Sequence, residues 1–355
     1  MRIGFVYDLR EEYLAAGYSE IEVAEFDSPA TIDEIEAAFH RLGHDLVRVG
    51  RGQALARSLV GGERYDLVFS IAEGLAGRSR EAQVPALCEL FGQPYAFSDP
   101  LTMAATLDKA VAKRIVRDHG IATAPFAVLY KPDDAALVEL PYPLFVKPIA
   151  EGTGKGCSNA SRVATRDALR AEAARLIEKF SQPAIAETYL PGREFTVGII
   201  GTGEAARVIG VAEITVRAEA ADPVYSFENK ETCETTVVYS HASDAEAMAA
   251  AEAALAAYRA LECRDAARLD LRSDAHGVPH FLEANPIAGL HPTHSDLPII
   301  AGLVGLGYDA LIAGIVQSAA ERQGLPVTGR VHDEAPHAVS EVPHAKTTAK
   351  VRGVA

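Results

Sequence analysis

A chain of 355 residues, 48% hydrophobic and 23% charged, has the make-up of a folded globular protein and is long enough for two or three compact units. A net charge of −15 excludes a general nucleic-acid binder or a protein held on anionic membranes, both of which need a basic surface, and leaves room for a locally basic nucleotide pocket. Four cysteines without a C-x-x-C pair suit a reducing cytosol; the first residues read as a strand rather than a signal peptide, and no apolar run reaches the roughly 18 residues of a spanning helix, so a cytoplasmic protein is expected.

Taken in chain order, strands are expected at 3–7, 46–49 and 67–71. Between the first two lies a helix over 31–42 with Ile32, Ile35, Ala38, Phe39 and Leu42 on one face. Strands separated by helices imply a parallel sheet, and ligands of such sheets gather beyond the carboxyl ends of strands. The polar stretch 72–83 is therefore well placed for a site. A new unit is expected after Ser98-Asp99-Pro100. It has a helix over 107–119 stopped by Gly120, strands at 126–130 and 144–147, a glycine-rich stretch 151–158, and a helix over 167–180. A third region carries strands at 184–187, 194–201, 206–216, 267–271 and 280–284. Its alanine-rich helix over 244–261 would be capped by a box of Ser243 and Glu246, and a helix over 308–322 follows. The tail after Gly324, poor in large apolar groups, is expected to be flexible.

Three segments bear chemistry. In the hairpin pattern from Arg268 to Asn285, alternation puts Arg268 and Asp270 on one face of the first strand and Glu283 and Asn285 on one face of the second. In matched register these converge as one cation and three oxygen-bearing side chains, hard ligands suited to Mg²⁺. An amphipathic hairpin with a solvated polar face has the same spacing. Next, an apolar strand delivers Lys147 ahead of Glu151-Gly152-Thr153-Gly154-Lys155-Gly156-Cys157-Ser158, whose small residues let backbone N–H groups approach phosphate oxygens. This is neither a P-loop nor G-x-G-x-x-G, and an exposed turn reads the same. Last, Glu187 and Glu194 flank a Pro191-Gly192 turn. They could accept hydrogen bonds from a nucleotide or simply decorate a surface.

In this order the segments resemble the ATP-grasp superfamily and, within it, the D-alanine–D-alanine ligase family. The resemblance spans residues 67–295 and includes Gly92-Gln93-Pro94-Tyr95 with Ser98, and Leu107-Asp108-Lys109 with Lys113. It implies an α/β chain with an α+β core in three subdomains, 1–104, 105–184 and 185–324, before a tail at 325–355. ATP would lie between the central and C-terminal subdomains. It also implies an ADP-forming ligase that joins two amino acids through an acyl phosphate.

By this resemblance Lys109 and Lys147 hold ATP phosphates, and Glu151, Gly152, Gly154 and Gly156 belong to a loop closing over them, with Thr153 in place of the family's serine. Glu187 lies at the adenine, Glu194 at the ribose, and Lys230 on a lid that reaches the γ-phosphate. Asp270, Glu283 and Asn285 bind two Mg²⁺ ions, or Mn²⁺, and Arg268 stabilises the oxyanion. Partners are amino-acid-like small molecules, without nucleic acid or membrane, in a homodimer.

Departures from the family cluster on the substrate side. The family's His-Gly and Gly-Glu-Asp-Gly give way to Glu73-Gly74-Leu75-Ala76-Gly77-Arg78-Ser79-Arg80-Glu81. Glu231 replaces the tyrosine after the lid lysine, the substrate-binding serine falls at His294 or Ser295, and Glu25 is the nearest counterpart of the N-terminal glutamate. Candidate substrate residues are thus Glu25, Glu73, Arg78, Arg80, Gly289, His294 and Ser295. Arg78, Arg80 and His294 would suit extra negative charge, although arginines of a surface loop look alike. The alternatives are a dipeptide ligase of secondary metabolism with other substrates, or a catalytically silent nucleotide-binding homologue. His291 and His294, interrupted by Pro292, make a poor metal pair.

Overall fold

The computed structural model describes residues 1–216 and 237–326. The N-terminal unit comprises β1 (Arg2–Val6), α1 (Arg10–Ala15), α2 (Pro29–Arg41), β2 (Asp45–Gly50), α3 (Gly52–Val60), β3 (Leu67–Ser70) and α4 (Gln83–Leu90). Its strands form a parallel sheet in the order β2-β1-β3. Alternation sorts the faces: Ile3, Phe5, Leu67 and Phe69 pack against Ile32, Ile35 and Phe39 of α2, while Val6 and Val68 pack with Leu55 and Leu59 of α3. Ser28 caps α2 by accepting from the Thr31 N–H, and Pro29 occupies its first turn, so the helix starts earlier than periodicity suggests.

A short helix that was not anticipated, α5 (Pro100–Leu107), precedes α6 (Lys109–Asp118), which is the helix expected over 107–119. Asp108 makes the break, because its carboxylate accepts from the N–H groups of Ala110 and Val111 and so opens a second helix. Then come β4 (Phe126–Leu129), β5 (Leu144–Pro148), β6 (Arg162–Val163), α7 (Arg166–Phe180) and β7 (Ala184–Thr188), an antiparallel sheet ordered β4-β7-β5-β6. Leu169, Ala173 and Leu176 of α7 bury one face of it against Leu144, Val146 and Ala186.

A second antiparallel sheet follows, of β8 (Glu194–Ile200), β9 (Arg207–Val216), β10 (Val237–His241), β11 (Ala266–Ser273) and β12 (Pro279–Asn285), in the order β10-β9-β8-β11-β12. Between β10 and β11 runs α8 (Ala245–Ala260), whose Ala247, Ala250, Ala254 and Ala257 let it lie close on Val197, Leu269 and Leu271. Its cap differs from expectation. Asp244, one residue after Ser243, accepts from the N–H groups of Glu246 and Ala247. Finally α9 (Asp296–Leu303) and α10 (Tyr308–Gln323) return the chain to its beginning, with Leu311, Ile312 and Ile315 sharing one core with α2. Among the described residues no single helix is long and apolar enough to cross a membrane.

Candidate active site

A cleft of about 840 Å³, counted out to its mouth, lies between the β4-β7-β5-β6 sheet and the β11–β12 hairpin. Phe145 and Lys147 point from one face of β5, and antiparallel pairing sets Glu187 of β7 opposite Phe145. The Glu187 carboxylate sits between two ammonium groups, 3.2 Å from Lys113 and 3.5 Å from Lys147. Lys113 is wholly buried and also donates to Thr123 Oγ1 (2.9 Å) and the Phe281 carbonyl (3.0 Å). Burial pulls its pKa down to about 8, against the pull of Glu187. Burial works against the charge of Lys147 too, but Glu187 and Glu283 outweigh it and hold the ammonium above its ordinary value. For Glu187 itself, burial is outweighed by Lys113 and Lys147, and its pKa falls.

The glycine-rich loop closes one side. Thr153, Gly154 and Gly156 adopt φ of 49°, 71° and 81°. A Cβ on Gly156 would come within 3.0 Å of Phe180, Pro148 and Leu176, so only glycine fits there. The loop is anchored from several directions. Lys109 donates to the Glu151 carbonyl (2.6 Å), Arg175 to the Gly156 carbonyl (2.8 Å), and Gln182 to the Glu151 carboxylate (2.6 Å), while Lys155 pairs with Glu151. Thr153 Oγ1 is buried and has no hydrogen-bond partner among the described residues.

On the facing hairpin, Arg268 pairs with Asn285 and Asp270 with Glu283, the register that brings all four polar side chains together. Arg268 Nη1 bridges Asp270 and Asp296, at 2.7 Å each, and Lys109 lies 3.2 Å from Glu283. Two carboxylates and an amide oxygen fit a hard divalent cation. Among the described residues no group of three His, Cys, Asp or Glu closes on one point, so waters and phosphate oxygens would fill the remaining positions, as is usual for Mg²⁺. At the other end Phe145, Leu190 and Leu282 form an apolar slot beside Glu194, which accepts from Arg272 (2.9 Å). Lys230 lies outside the described residues.

Past Lys109 and Glu283 the cleft widens into a second chamber of about 1810 Å³, lined in part by Glu25, Glu73, Gly289, His294 and Ser295. Glu25 joins it from a distant segment. Its carboxylate accepts from the Gly152 N–H and from Arg80 (2.9 Å), with Lys155 at 3.4 Å. Arg80 is buried and also donates to the Ala150 carbonyl (2.9 Å), so its charge is already met. Arg78 lies outside both chambers: its side chain is 76% exposed and bonds Asp108 at 2.7 Å. The two arginines expected to receive a negatively charged substrate therefore serve Glu25 and the α6 cap. Ser295 Oγ accepts from the His291 N–H (3.0 Å) and leaves no room for a side chain on Gly289.

Sequence reasoning missed the roles of Lys113, Asp296, Asp27 and Glu81. Lys113 lies one turn beyond Lys109 on α6, a helical spacing that was readable. Asp296, Asp27 and Glu81 reach the site only through tertiary folding. The surroundings of the last two are unusual. Burial together with a neighbouring carboxylate, Asp8, lifts Asp27 to about 7. Burial lifts Glu81 to about 7 with Glu25 adding to it, and burial with Glu81 and Glu25 pushes Glu73 well above the carboxylate range.

The family described as D-ala D-ala ligase C-terminus matches residues 115–317. A D-alanine–D-alanine ligase of Bordetella petrii is 35% identical over 260 residues, 72% of this chain and 76% of its own length. An uncharacterized protein of Sinorhizobium fredii, y4sG, is 31% identical over 303 residues, 82% of this chain and 87% of its own. Among solved structures, the D-alanine–D-alanine ligase from Bacillus anthracis complexed with ATP aligns with a TM-score of 0.68 over 91% of this chain and 99% of that one. Its identity is 22%, a likeness of fold. With a matching family, relatives across most of its length and a shared ATP-grasp fold, the chain belongs to the D-alanine–D-alanine ligase family of ATP-dependent, ADP-forming carbon–nitrogen ligases.

Proposed function

We propose that this member joins two amino acids, activating the carboxylate of one with ATP, and that at least one of the two is not D-alanine. The observation that carries the reading is the hairpin register, which sets Arg268, Asp270, Glu283 and Asn285 opposite Lys109 and Lys147 across a single cleft. A carboxylate is a poor acyl donor because oxide is a poor leaving group, and phosphorylation makes that oxygen leave readily. Phosphoryl transfer asks a protein for positioning and charge neutralisation more than for covalent help. Lys109 and Lys147 supply fixed positive charge for phosphates, Glu194 and the slot of Phe145, Leu190 and Leu282 suit a nucleoside, and Lys230 is assigned to the γ-phosphate side by resemblance.

Bound at Asp270, Glu283 and Asn285, Mg²⁺ ions would neutralise phosphate charge. Arg268, held between Asp270 and Asp296, is aimed before the reaction begins and can stabilise the oxyanion formed when the amine attacks. The loop at 151–158 shields an intermediate that water would destroy. The substrate side supports a change of amino acid, since Glu73–Glu81 and the segment around His294 depart from the family where the nucleotide side does not. We extend the proposal to a homodimer, which light scattering tests directly.

The deciding measurement is ADP release from Mg²⁺–ATP across amino acids of both hands, with products identified by mass. Asp270→Asn and Glu283→Ala are expected to lower turnover at least a hundredfold with melting curves little changed. Wild-type turnover in both variants would remove the hairpin from the reaction, and full turnover with D-alanine alone would remove the altered substrate preference.

A further inference from the structure

Among the described residues, charge in the second chamber does not balance. Its cations are already engaged: Lys109 faces Glu283, Arg268 bridges Asp270 and Asp296, and Arg80 and Lys155 hold Glu25. Arg10 has Glu20 within 3.8 Å, and His291 and His294 lie edge to face on the side of Gly289. Asp27, Glu73 and Glu81 line the same space, and none of the three has a side-chain hydrogen bond or ion pair among the described residues. Glu81 is only 9% exposed. A carboxylate stripped of most of its water and given no protein partner destabilises the fold unless something else completes it. Burial lifts all three pKa values, with Asp8 adding to it at Asp27, Glu81 and Glu25 at Glu73, and Glu25 at Glu81, a condition that a bound cation relieves.

We propose that one of the two amino acids joined here carries a second positive charge on its side chain, and that Asp27, Glu73 and Glu81 receive it. The substrate class is a basic amino acid, of the diamino kind or bearing a guanidinium. The inference rests on the ligase reading above and reverses the sign of the charge that the sequence had suggested for this pocket. Two of the three carboxylates, Glu73 and Glu81, bound the very stretch that departs from the family, and Asp27 lies two residues beyond Glu25. Arg268 and Asn285 line the same chamber as the three carboxylates, so one space holds both the proposed reacting groups and a place for a side-chain cation.

The test compares lysine, ornithine and arginine with norleucine and alanine, in both hands, using the full chain with Mg²⁺–ATP. ADP release is read alongside calorimetric binding in the presence of a non-hydrolysable ATP analogue. At least one basic amino acid is expected to exceed norleucine tenfold in kcat/KM and in affinity, and Glu81→Gln to reduce that ratio at least tenfold. Glu73→Gln is the second variant, should Glu81→Gln fail to fold. Norleucine equal to the basic amino acids in the wild type, or an unchanged ratio in a folded variant, overturns the cation subsite while ligation stands. If no amino acid releases ADP, the ligase reading falls, and the binding ratio alone still supports or overturns the subsite.

Discussion

At the scale of single residues, the site is a set of buried charges that fix one another. Glu187 is the pivot, since removing its charge leaves Lys113 and Lys147 facing each other away from water. Glu187→Gln is expected to destabilise the fold by about 3–5 kcal/mol near neutral pH. The sign of the pH dependence follows from Lys113, which already titrates near 8, below its ordinary value. The folded state then binds fewer protons than the unfolded chain, so stability rises as pH climbs from about 8 towards 10.5. Without Glu187 the lysine pKa falls further, and the deficit should be largest at pH 7 and shrink by pH 9.5. Denaturant melts at the two pH values check this, and an equal deficit at both would show that Lys113 is not the strained group. Residue types lining the first cleft were legible because β5, β7 and the hairpin deliver them by simple alternation. The roles of Arg78 and Arg80 were not, because only folding shows that Asp108 and Glu25 meet them.

At the scale of elements, the sequence located most strands and the longer helices, and it faltered for identifiable reasons. The helices α1, α3, α4 and α9 are six to nine residues long, too short for periodicity to stand out. The eight-residue α5 was missed for the same reason, while the helix expected over 107–119 is α6, opened by the Asp108 carboxylate. Ser243 and Asp244 are both good caps, and Asp244 takes the role with Arg193 bonding its far side at 2.9 Å. The glycine-rich loop is the element most open to test. Gly156→Ala would force a Cβ into a left-handed conformation against Phe180, Pro148 and Leu176. A loss of about 1–3 kcal/mol is expected from thermal melts, with weaker ATP binding. Unaltered melting and ATP affinity would mean that the loop has room the packing denies.

At the scale of the whole molecule, the chain closes on itself. The last helix among the described residues, α10, packs on α2, and Arg41 grips Asp309 with two bonds of 2.7 and 2.8 Å. Asp265, wholly buried, gathers the Phe97 N–H, Thr202, and Ser318 and Arg322 of α10 from three separate stretches. The parallel sheet, the β11–β12 hairpin and the family followed from local patterns and motif order. These long-range closures did not, since nothing in one sequence says which distant residues meet.

One such closure links the glycine-rich loop to the second chamber. Glu25, from the N-terminal unit, holds Gly152 and Lys155 of the phosphate loop, and its partner Arg80 holds Ala150. In the proposed reaction, any shift of that loop on nucleotide binding is therefore transmitted to the wall of the second chamber, where the amino acids are proposed to bind. Thermodynamic linkage then makes the effect reciprocal: the factor by which an ATP analogue changes amino-acid affinity must equal the factor by which the amino acid changes affinity for the analogue. Glu25→Gln, with its hold on Arg80 and Lys155 weakened, should bring both factors towards one together, as titration of each ligand with and without the other will read. Being the same in both directions, the coupling that Glu25 carries favours neither ligand as the first to bind.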